Sequence, residues 1–306
     1  MSRLTENKII LVTRKTRLDD IIVKFNTFEQ AKFYIEHLGS DFEDYQNEDQ
    51  IYKKVISEIE SELRALGRVH VVERSYLPNF VFGKNDIVVV VGQDGLVANT
   101  LKYLDGHPVI AINPEPERFD GVLLPFYPKD AGKIVTDVFS DRRDKKQISF
   151  AKVELQNGQY LYGVNDIFIG PKSHTSARYE LDVGGQSEIQ SSSGIIISTG
   201  LGSTGWLSSV VAGARGVIGV PQGGNCSFGW SDNYLQYSVR EPFPSNITGV
   251  DLVFGRIGDK KPMVVTSLMA SHGVIFSDGI ESDFLEFNSG TSAKVGVAKK
   301  KGQLVI

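Results

Sequence analysis

Five consecutive aliphatic residues, Ile87 to Val91, lead directly into the turn Gly92-Gln93-Asp94-Gly95 and then into a helical pattern. A strand built only of Ile and Val has no polar face, so both of its faces must be buried. Such strands belong to parallel sheets that helices cover on both sides. The run is also far shorter than the roughly 20 apolar residues of a membrane span. We therefore predict an α/β fold here and no membrane as a partner.

Strands and helices alternate through the rest of the first half. Thr27 and Gln30 form a capping box that predicts the start of a helix, and Gly39 predicts its end. The predicted helices are 28–38, 48–66 and 97–104. The predicted strands are Lys8 to Val12, Val69 to Glu73, Ile87 to Val91 and Pro108 to Asn113. This alternation predicts a Rossmann-like parallel sheet.

The pattern changes near residue 145. Asn157-Gly158 separates two strand-like segments and is a strong hairpin signal, and Gly184-Gly185 indicates a second hairpin. Short strands continue to the end of the sequence, with one helical interruption after Ser203. The charged segment Ser140 to Lys146 is the best candidate for a linker. We predict an α/β nucleotide-binding domain, 1–142, followed by a β-rich domain, 143–306.

Composition narrows the class of function. The formal charge is -4, with 33 Lys+Arg against 37 Asp+Glu, which argues against a nucleic-acid partner. Cys226 is the one cysteine, so an internal disulfide or a cysteine-based zinc site is excluded. No pair of histidines has a metal-binding spacing, and we predict no metal ligands. The polar first residues lack a signal-peptide pattern, and we expect a cytoplasmic protein.

The turn Gly92-Gln93-Asp94-Gly95 has the chemistry of a phosphate loop. Glycines let backbone N–H groups approach a phosphate, and the following helix adds a favourable dipole. A carboxylate in such a loop repels an anion. The presence of Asp94 therefore indicates a base or a residue that contacts a metal. The alternative is a structural turn in which Asp94 caps the helix.

Two further segments have ligand-binding character. Ser191 to Ser209 is a strand, a Gly/Ser/Thr-rich loop and a helix start, in which Trp206 could stack on a ring. The alternative is an ordinary glycine turn with Trp206 in the core. Asn165-Asp166 suits a purine edge and ribose hydroxyls, although such a pair also occurs as a plain polar strand end. Asp278-Gly279 reads most simply as a β-turn.

Taken in order, these segments resemble one enzyme family. The succession of GQDG, PVIAIN, Asn-Asp, STGLGSTGW and a late Asp-Gly is similar to that of the ATP-dependent NAD kinases. Stretches such as Asn113 to Phe126 and Ser238 to Pro242 resemble the divergent, mitochondrial-type branch most closely. The resemblance covers about residues 8 to 300.

The resemblance implies an activity and a set of roles. The reaction is transfer of the γ-phosphate of ATP to the adenosine ribose 2′-OH of NAD, which gives NADP. ATP enters with Mg²⁺, and the assembly is a homodimer or a higher homo-oligomer. Asp94 is the implied catalytic base. The implied NAD-binding residues are Asn165, Asp166, Thr204, Gly205 and Trp206, and the implied phosphate-binding residues are Gly92, Gln93, Gly95 and Ser203.

Two departures from the family pattern keep alternatives open. Gln93 replaces a glycine, where its side chain could crowd a phosphate, and Leu96 replaces a threonine hydroxyl. One alternative is therefore a catalytically weak protein that senses dinucleotides. The other is a lipid or small-alcohol kinase, because such kinases share the GxDG element.

Overall fold

The computed structural model describes residues 8–221, 223, 226–258 and 261–306. They form two compact units, one built from the residues up to Lys146 together with Gln303–Ile306, the other from Gln147–Gly302. The last four residues, which the sequence analysis assigns to the second domain, therefore belong to the first unit. Gln303 and Leu304 extend the first unit's sheet by pairing in parallel with Pro108 and Val109.

The first unit is a parallel sheet with helices. Its strands are β1 (Lys8–Thr13), β2 (Arg68–Glu73), β3 (Ile87–Val91) and β4 (Pro108–Ile112). Its helices are α1 (Arg17–Phe25), α2 (Phe28–His37), α3 (Phe42–Leu66), α4 (Asp94–Leu101) and α5 (Ala131–Phe139). The strand order is β2-β1-β3-β4, all parallel. All five residues of β3 are buried, which confirms the α/β prediction made from its aliphatic run.

Two helices begin before their predicted starts, and two others were not predicted. α3 begins at Phe42, six residues before the predicted start, because Asp41 caps it by accepting from the Glu43 N–H at 2.9 Å and Phe42 is buried. α4 begins at Asp94, directly on the glycine turn. α1 was not predicted, and its Thr16 cap makes a capping box with Asp19. α5 was also not predicted, although its apolar residues pack on the sheet.

The second half contains the remaining strands and one long helix. The strands are β5 (Lys145–Leu155), β6 (Tyr160–Gly163), β7 (Asp166–Pro171), β8 (Ala177–Val183), β9 (Gln186–Ser192), β10 (Ile195–Ser198), β11 (Tyr234–Val239), β12 (Phe254–Gly258), β13 (Met263–Ser267), β14 (Gly273–Ser277), β15 (Ile280–Glu286) and β16 (Ser292–Val305). The helix is α6 (Trp206–Ile218).

The second unit is an antiparallel β-sandwich. Both predicted hairpins are present, β5–β6 around Asn157-Gly158 and β8–β9 around Gly184-Gly185. Strands β12-β11-β10-β7-β14-β15 form one sheet. Its inner face and the strands β8, β13 and β16 share one hydrophobic core. α6 packs on the outer face, where Trp206 and Val210 contact Phe168 and Ile196. The predicted β-rich second domain is confirmed.

Candidate functional site

The first candidate region lies where the order of the parallel strands reverses. From β1 the chain adds β2 on one side of the sheet, whereas β3 pairs with the other side of β1. Ligands of open parallel sheets bind beyond the carboxyl ends of the strands at such a point. β3 ends at Val91, so the loop Gly92–Gly95 starts at this position.

Packing holds the start of the loop in place. The Tyr52 hydroxyl donates to the Val91 carbonyl at 2.8 Å, and Gly92 N–H donates to the Ile112 carbonyl at 3.2 Å. A Cβ added at Gly92 would lie 2.8 Å from the Leu96 Cδ2 atom. Leu96, which departs from the family pattern, therefore packs on Gly92, and its side chain would have to shift to admit a larger residue there.

Gln93 and Gly95 are both exposed. Gln93 occupies the cap position of α4 with ordinary extended dihedral angles, φ −112 and ψ 165, and makes no side-chain cap bond. Its side chain is therefore not locked across the loop. In the helix that follows, the Leu96 N–H donates to the Gln93 carbonyl at 2.9 Å, so only the N–H groups before it are left for an anion at the helix N-terminus.

Asp94 is not the cap of α4 but its first residue. Its carboxylate accepts two backbone hydrogen bonds, from Leu123 N–H at 2.7 Å and from Val122 N–H at 3.3 Å. The side chain is half-buried. The structural alternative from sequence, a helix cap, is therefore wrong, since the carboxylate anchors a neighbouring loop instead.

Asn113 shapes the loop that reaches Asp94. Its amide donates to the Phe119 carbonyl at 2.9 Å, and its Oδ1 accepts from Glu115 N–H at 3.1 Å. Gly121 has a φ of 66, and a Cβ there would lie 2.7 Å from the Asn113 Nδ2 atom. The Asn of the PVIAIN segment thus sets the course of the chain that donates to Asp94.

A buried ion network beside the loop was not predicted. Glu48, with a side chain 2% exposed, pairs with Arg14 at 2.9 Å and also with Arg17. Burial acts to raise the pKa of Glu48, but the hydrogen bonds from Arg17 and Arg14 outweigh it and hold the pKa below its usual value. The network fastens α3 to the carboxyl end of β1. Sequence spacing offered no sign of it, because the partners are 31 and 34 residues apart.

The second candidate region is in the β-rich unit, around Asn165 and Asp166. The carboxylate of Asp278 accepts from the N–H groups of Val164 at 3.0 Å, Asn165 at 2.6 Å and Asp166 at 3.3 Å. Asp278 and Gly279 have φ values of 53 and 71 and make the tight turn between β14 and β15. The segment Asp278-Gly279 is a turn, as predicted. The Asp278 side chain also fixes the backbone of the Asn165-Asp166 pair.

Asp166 is unusually placed for a carboxylate. It is 8% exposed, and within the described residues no hydrogen bond reaches its side-chain oxygens. Burial, and then the neighbouring negative charge of Asp278, raise its pKa to about 7. Asn165 beside it is half-buried.

Thr199 joins the Gly/Ser/Thr-rich loop to this pair. Its hydroxyl donates to the Val164 carbonyl at 2.6 Å, and its N–H donates to the Asn165 carbonyl at 2.9 Å. Gly202 N–H donates back to the Thr199 hydroxyl at 3.2 Å. A Cβ at Gly202 would lie 2.0 Å from the Asn165 carbonyl oxygen. Two segments that lie 34 residues apart in the sequence therefore pack together.

The remaining predicted residues of this loop differ in their access to a ligand. Ser203 is buried, and its hydroxyl donates to the Gly200 carbonyl at 2.7 Å and accepts from Phe228 N–H at 3.3 Å. Thr204 and Gly205 are exposed. Trp206 is half-buried and stacks on Phe168 with ring centroids 5.8 Å apart. Both predicted roles of Trp206, core packing and a ring for stacking, are compatible with this position.

Two solved structures with the same architecture are an NAD kinase and an NADH kinase. An NAD kinase from Archaeoglobus fulgidus, in complex with ATP, aligns with a TM-score of 0.60 at 16% identity, over 98% of this chain and 93% of that one. Yeast NADH kinase, complexed with NADH, aligns with a TM-score of 0.61 at 15% identity, over 98% and 84%. The chain has the NAD kinase fold. No family model and no curated protein matches it in sequence.

The NAD kinase fold confirms the resemblance at the level of architecture. It also places the GxDG turn on the parallel sheet and the Asn-Asp pair on the β-rich unit, as the sequence order implied. Among the described residues, no helix is long and apolar enough to cross a membrane.

The hydrogen bonds from the N–H groups of residues 164–166 to the Asp278 carboxylate lead to a stability prediction. Asp278→Ala should lower the free energy of unfolding by about 3 kcal/mol, because buried N–H groups lose a charged acceptor. Asp278→Asn keeps an acceptor oxygen and tolerates positive φ, so its loss should be about 1 kcal/mol. Urea unfolding measures both. Glu281→Ala, at an exposed position of β15, is the control. If Asp278→Ala lowers the free energy of unfolding no more than this control does, the stabilising role of the Asp278 hydrogen bonds is contradicted.

Proposed function

We propose that this chain transfers the γ-phosphate of ATP to the adenosine ribose 2′-OH of NAD and so makes NADP. The observation that carries the proposal is the assembled site of the β-rich unit. There Thr199 donates to the carbonyls of Val164 and Asn165, and Asp278 accepts from the N–H groups of Asn165 and Asp166. The loop that begins at Thr199 also carries the exposed Thr204 and Gly205. An amide, a carboxyl group and hydroxyls in one place match a nucleoside with ribose hydroxyls.

In this proposal, the first unit binds the second substrate, ATP. The exposed Gln93 and Gly95 stand at the N-terminus of α4, beyond a buried strand at the switch point of the sheet. This is where a triphosphate fits by backbone and dipole. Among the described residues, no three His, Cys, Asp or Glu side chains converge as a metal site. In the proposal, as the family resemblance implies, Mg²⁺ enters with ATP as part of the substrate.

Asp94 and Asp166 have distinct parts in the proposal. Asp94 anchors the loop at Val122 and Leu123, and from the resemblance we expect it to contact a ribose. Asp166 and Asn165 bind the adenosine of NAD. Whether Asp94 is also the base stays a prediction from the resemblance, as do the homodimer and the phosphate-binding role of Ser203.

The proposal is tested by NADP formation from purified protein, ATP, Mg²⁺ and NAD, measured with an NADP-specific dehydrogenase. Turnover that requires all three small molecules supports it. Saturable NAD binding without turnover would favour the dinucleotide sensor. Phosphorylation of diacylglycerol or of a small alcohol, but not of NAD, would favour the lipid or small-alcohol kinase. Such a substrate has no nucleoside for the Asn-Asp pair to bind.

Substitution of Gln93 distinguishes the kinase hypothesis from the sensor hypothesis. Its extended backbone and exposed position leave the loop open, so Gln93→Gly should change kcat by less than about threefold. Glycine at a helix cap position alters stability by only about a few tenths of a kcal/mol. The sensor interpretation instead requires a gain of at least about tenfold, or about 1.4 kcal/mol of barrier. Steady-state kinetics with saturating ATP and NAD decide between the two.

A further inference from the structure

One arginine lies beside the glycine turn of the first unit. Arg14 follows β1 directly, Gly92 follows β3 directly, and β1 and β3 are neighbouring parallel strands. The Arg14 Cδ atom is 3.8 Å from the position that a Cβ would take on Gly92. The carboxyl ends of parallel strands meet at the same edge of a sheet. The Arg14 side chain and the glycine turn therefore lie together at the switch point.

The Arg14 side chain is held in place by its neighbours. Its guanidinium lies over the Tyr52 ring, with Cζ 4.8 Å from the ring centroid. The Tyr52 hydroxyl accepts from the Arg14 backbone N–H at 3.0 Å and donates to the carbonyl of Val91, the residue before the turn. Nη1 donates to the Lys15 carbonyl at 2.9 Å, and Nη2 donates to Glu48 at 2.9 Å. A side chain fixed in this way loses little conformational entropy when a ligand binds.

The hydrogen-bonding capacity of the Arg14 guanidinium is not exhausted by these contacts. Within the described residues, Nη1 and Nη2 each have an acceptor, whereas the buried Nε has none. Nε is bonded to the Cδ atom that approaches Gly92, and the side chain as a whole is 12% exposed. A buried donor without an acceptor costs free energy. We therefore expect a ligand at the turn to supply the acceptor.

The positive charge of Arg14 is only partly neutralised. Its carboxylate partner, Glu48, also pairs with Arg17 and, at 3.8 Å, with Arg118. Arg17 and Arg118 have a second carboxylate, Asp44. Arg14 thus shares a single carboxylate with two other arginines. A guanidinium with unused N–H groups suits a phosphate, to which it can donate parallel hydrogen bonds.

We propose that Arg14 binds the triphosphate of ATP at the start of the glycine turn. This inference rests on the proposed function, which places ATP at this turn of the first unit. The N-terminus of α4 contributes a partial positive charge there, and Arg14 adds a full one. Phosphoryl transfer depends on positioning and on neutralisation of the phosphate charge. Arg14 is therefore a binding residue that neither gives nor takes a proton.

Isothermal titration calorimetry of Arg14→Met with Mg²⁺-ATP tests the proposal. Methionine keeps an apolar stem beside Tyr52 and Gly92 and removes the charge. The Kd for ATP should rise by about ten- to a hundredfold, as expected for a lost hydrogen bond to a charged group. Inorganic tripolyphosphate should lose affinity by a similar factor, because it presents phosphates without a nucleoside. The Kd for NAD should stay within about twofold of the wild-type value.

Arg17→Met is the matched control. Arg17 also pairs with Glu48, and its side chain is 42% exposed. The control should leave the Kd for ATP within about threefold of the wild-type value. If Arg14 acts only by neutralising Glu48, the two substitutions should weaken ATP binding equally, and this result would overturn the proposal. An unchanged Kd for ATP in Arg14→Met, or a loss that tripolyphosphate does not share, would also overturn it.

Two further comparisons separate binding from folding and from turnover. Melting temperatures show whether Arg14→Met is folded. If it is not, Arg14→Met combined with Glu48→Gln leaves no unpaired buried carboxylate and is compared with Glu48→Gln alone. A protein that binds ATP through Arg14 yet makes no NADP defeats the proposed function and supports this inference. A protein that makes NADP with the same KM for ATP after Arg14→Met defeats this inference alone.

Discussion

Asp94→Asn should lower kcat for NADP formation by about a hundredfold. The carboxylate holds Leu123 N–H at 2.7 Å and Val122 N–H at 3.3 Å. An asparagine can accept only one of these bonds, and its NH₂ group would face the other donor. The loop and the first turn of α4 would then separate, and a displacement of about 1 Å in a phosphoryl-transfer site costs on the order of a hundredfold.

The control for this variant lies on the same loop. Asp120→Asn removes an exposed carboxylate, carries the same change of charge, and should leave kcat within about twofold. Equal losses for the two variants would point to general electrostatics instead of the anchor. A kcat for Asp94→Asn above about a tenth of the wild-type value would remove Asp94 from both roles, base and anchor, since either is worth at least tenfold.

Gly202→Ala should destabilise the protein by about 3 kcal/mol or more, because overpacking against rigid backbone costs this much. The added Cβ would lie 2.0 Å from the Asn165 carbonyl oxygen and 2.5 Å from its carbonyl carbon. Both atoms are backbone and belong to the segment that Asp278 and Thr199 hold. The 199–206 loop must therefore move off the Asn-Asp pair, and NAD binding should weaken together with stability.

The same substitution at another glycine should change the free energy of unfolding in the opposite direction. Gly213 lies inside α6, and a Cβ there would meet nothing within 4 Å. Gly213→Ala should raise the free energy of unfolding by about 0.5–1 kcal/mol through helix propensity. Urea unfolding of both variants, with NAD titrations, measures the contrast. If Gly202→Ala is as stable as the wild type and binds NAD equally well, the close packing of the loop on Asn165 is wrong.

Local patterns predicted the elements from which the site is built. An unbroken aliphatic run at Ile87–Val91 requires burial on both faces, and the structure buries all five residues. Asn157-Gly158 and Gly184-Gly185 supply the positive φ values of tight turns at Gly158, Gly184 and Gly185. These signals are reliable because the residues that cause each turn or strand are neighbours in the chain.

Helix ends were less predictable from the apolar stripe alone. α3 extends to Phe42 because Asp41 caps it and Phe42 is buried, whereas the i, i+4 stripe that predicted the helix begins only at Ile51. α5 lies on the sheet through Ile134 and Val135, next to a charged segment that reads as a linker. Capping and tertiary packing decided these bounds, and hydrophobic spacing reports on neither.

For the candidate site, the sequence by itself determined which chemical groups are available and which turn carries each of them. The GQDG turn, Asn165-Asp166, the Thr199–Trp206 loop and Asp278-Gly279 were all recognisable as segments. Only the tertiary structure decided how their side chains are used. Asp278 reaches the Val164 N–H across 114 positions of the chain, and Thr199 reaches the Val164 carbonyl across 35. Hydrogen bonding and burial depend on such distant neighbours, and for that reason the carboxylate without a donor is Asp166 and the anchored one is Asp94.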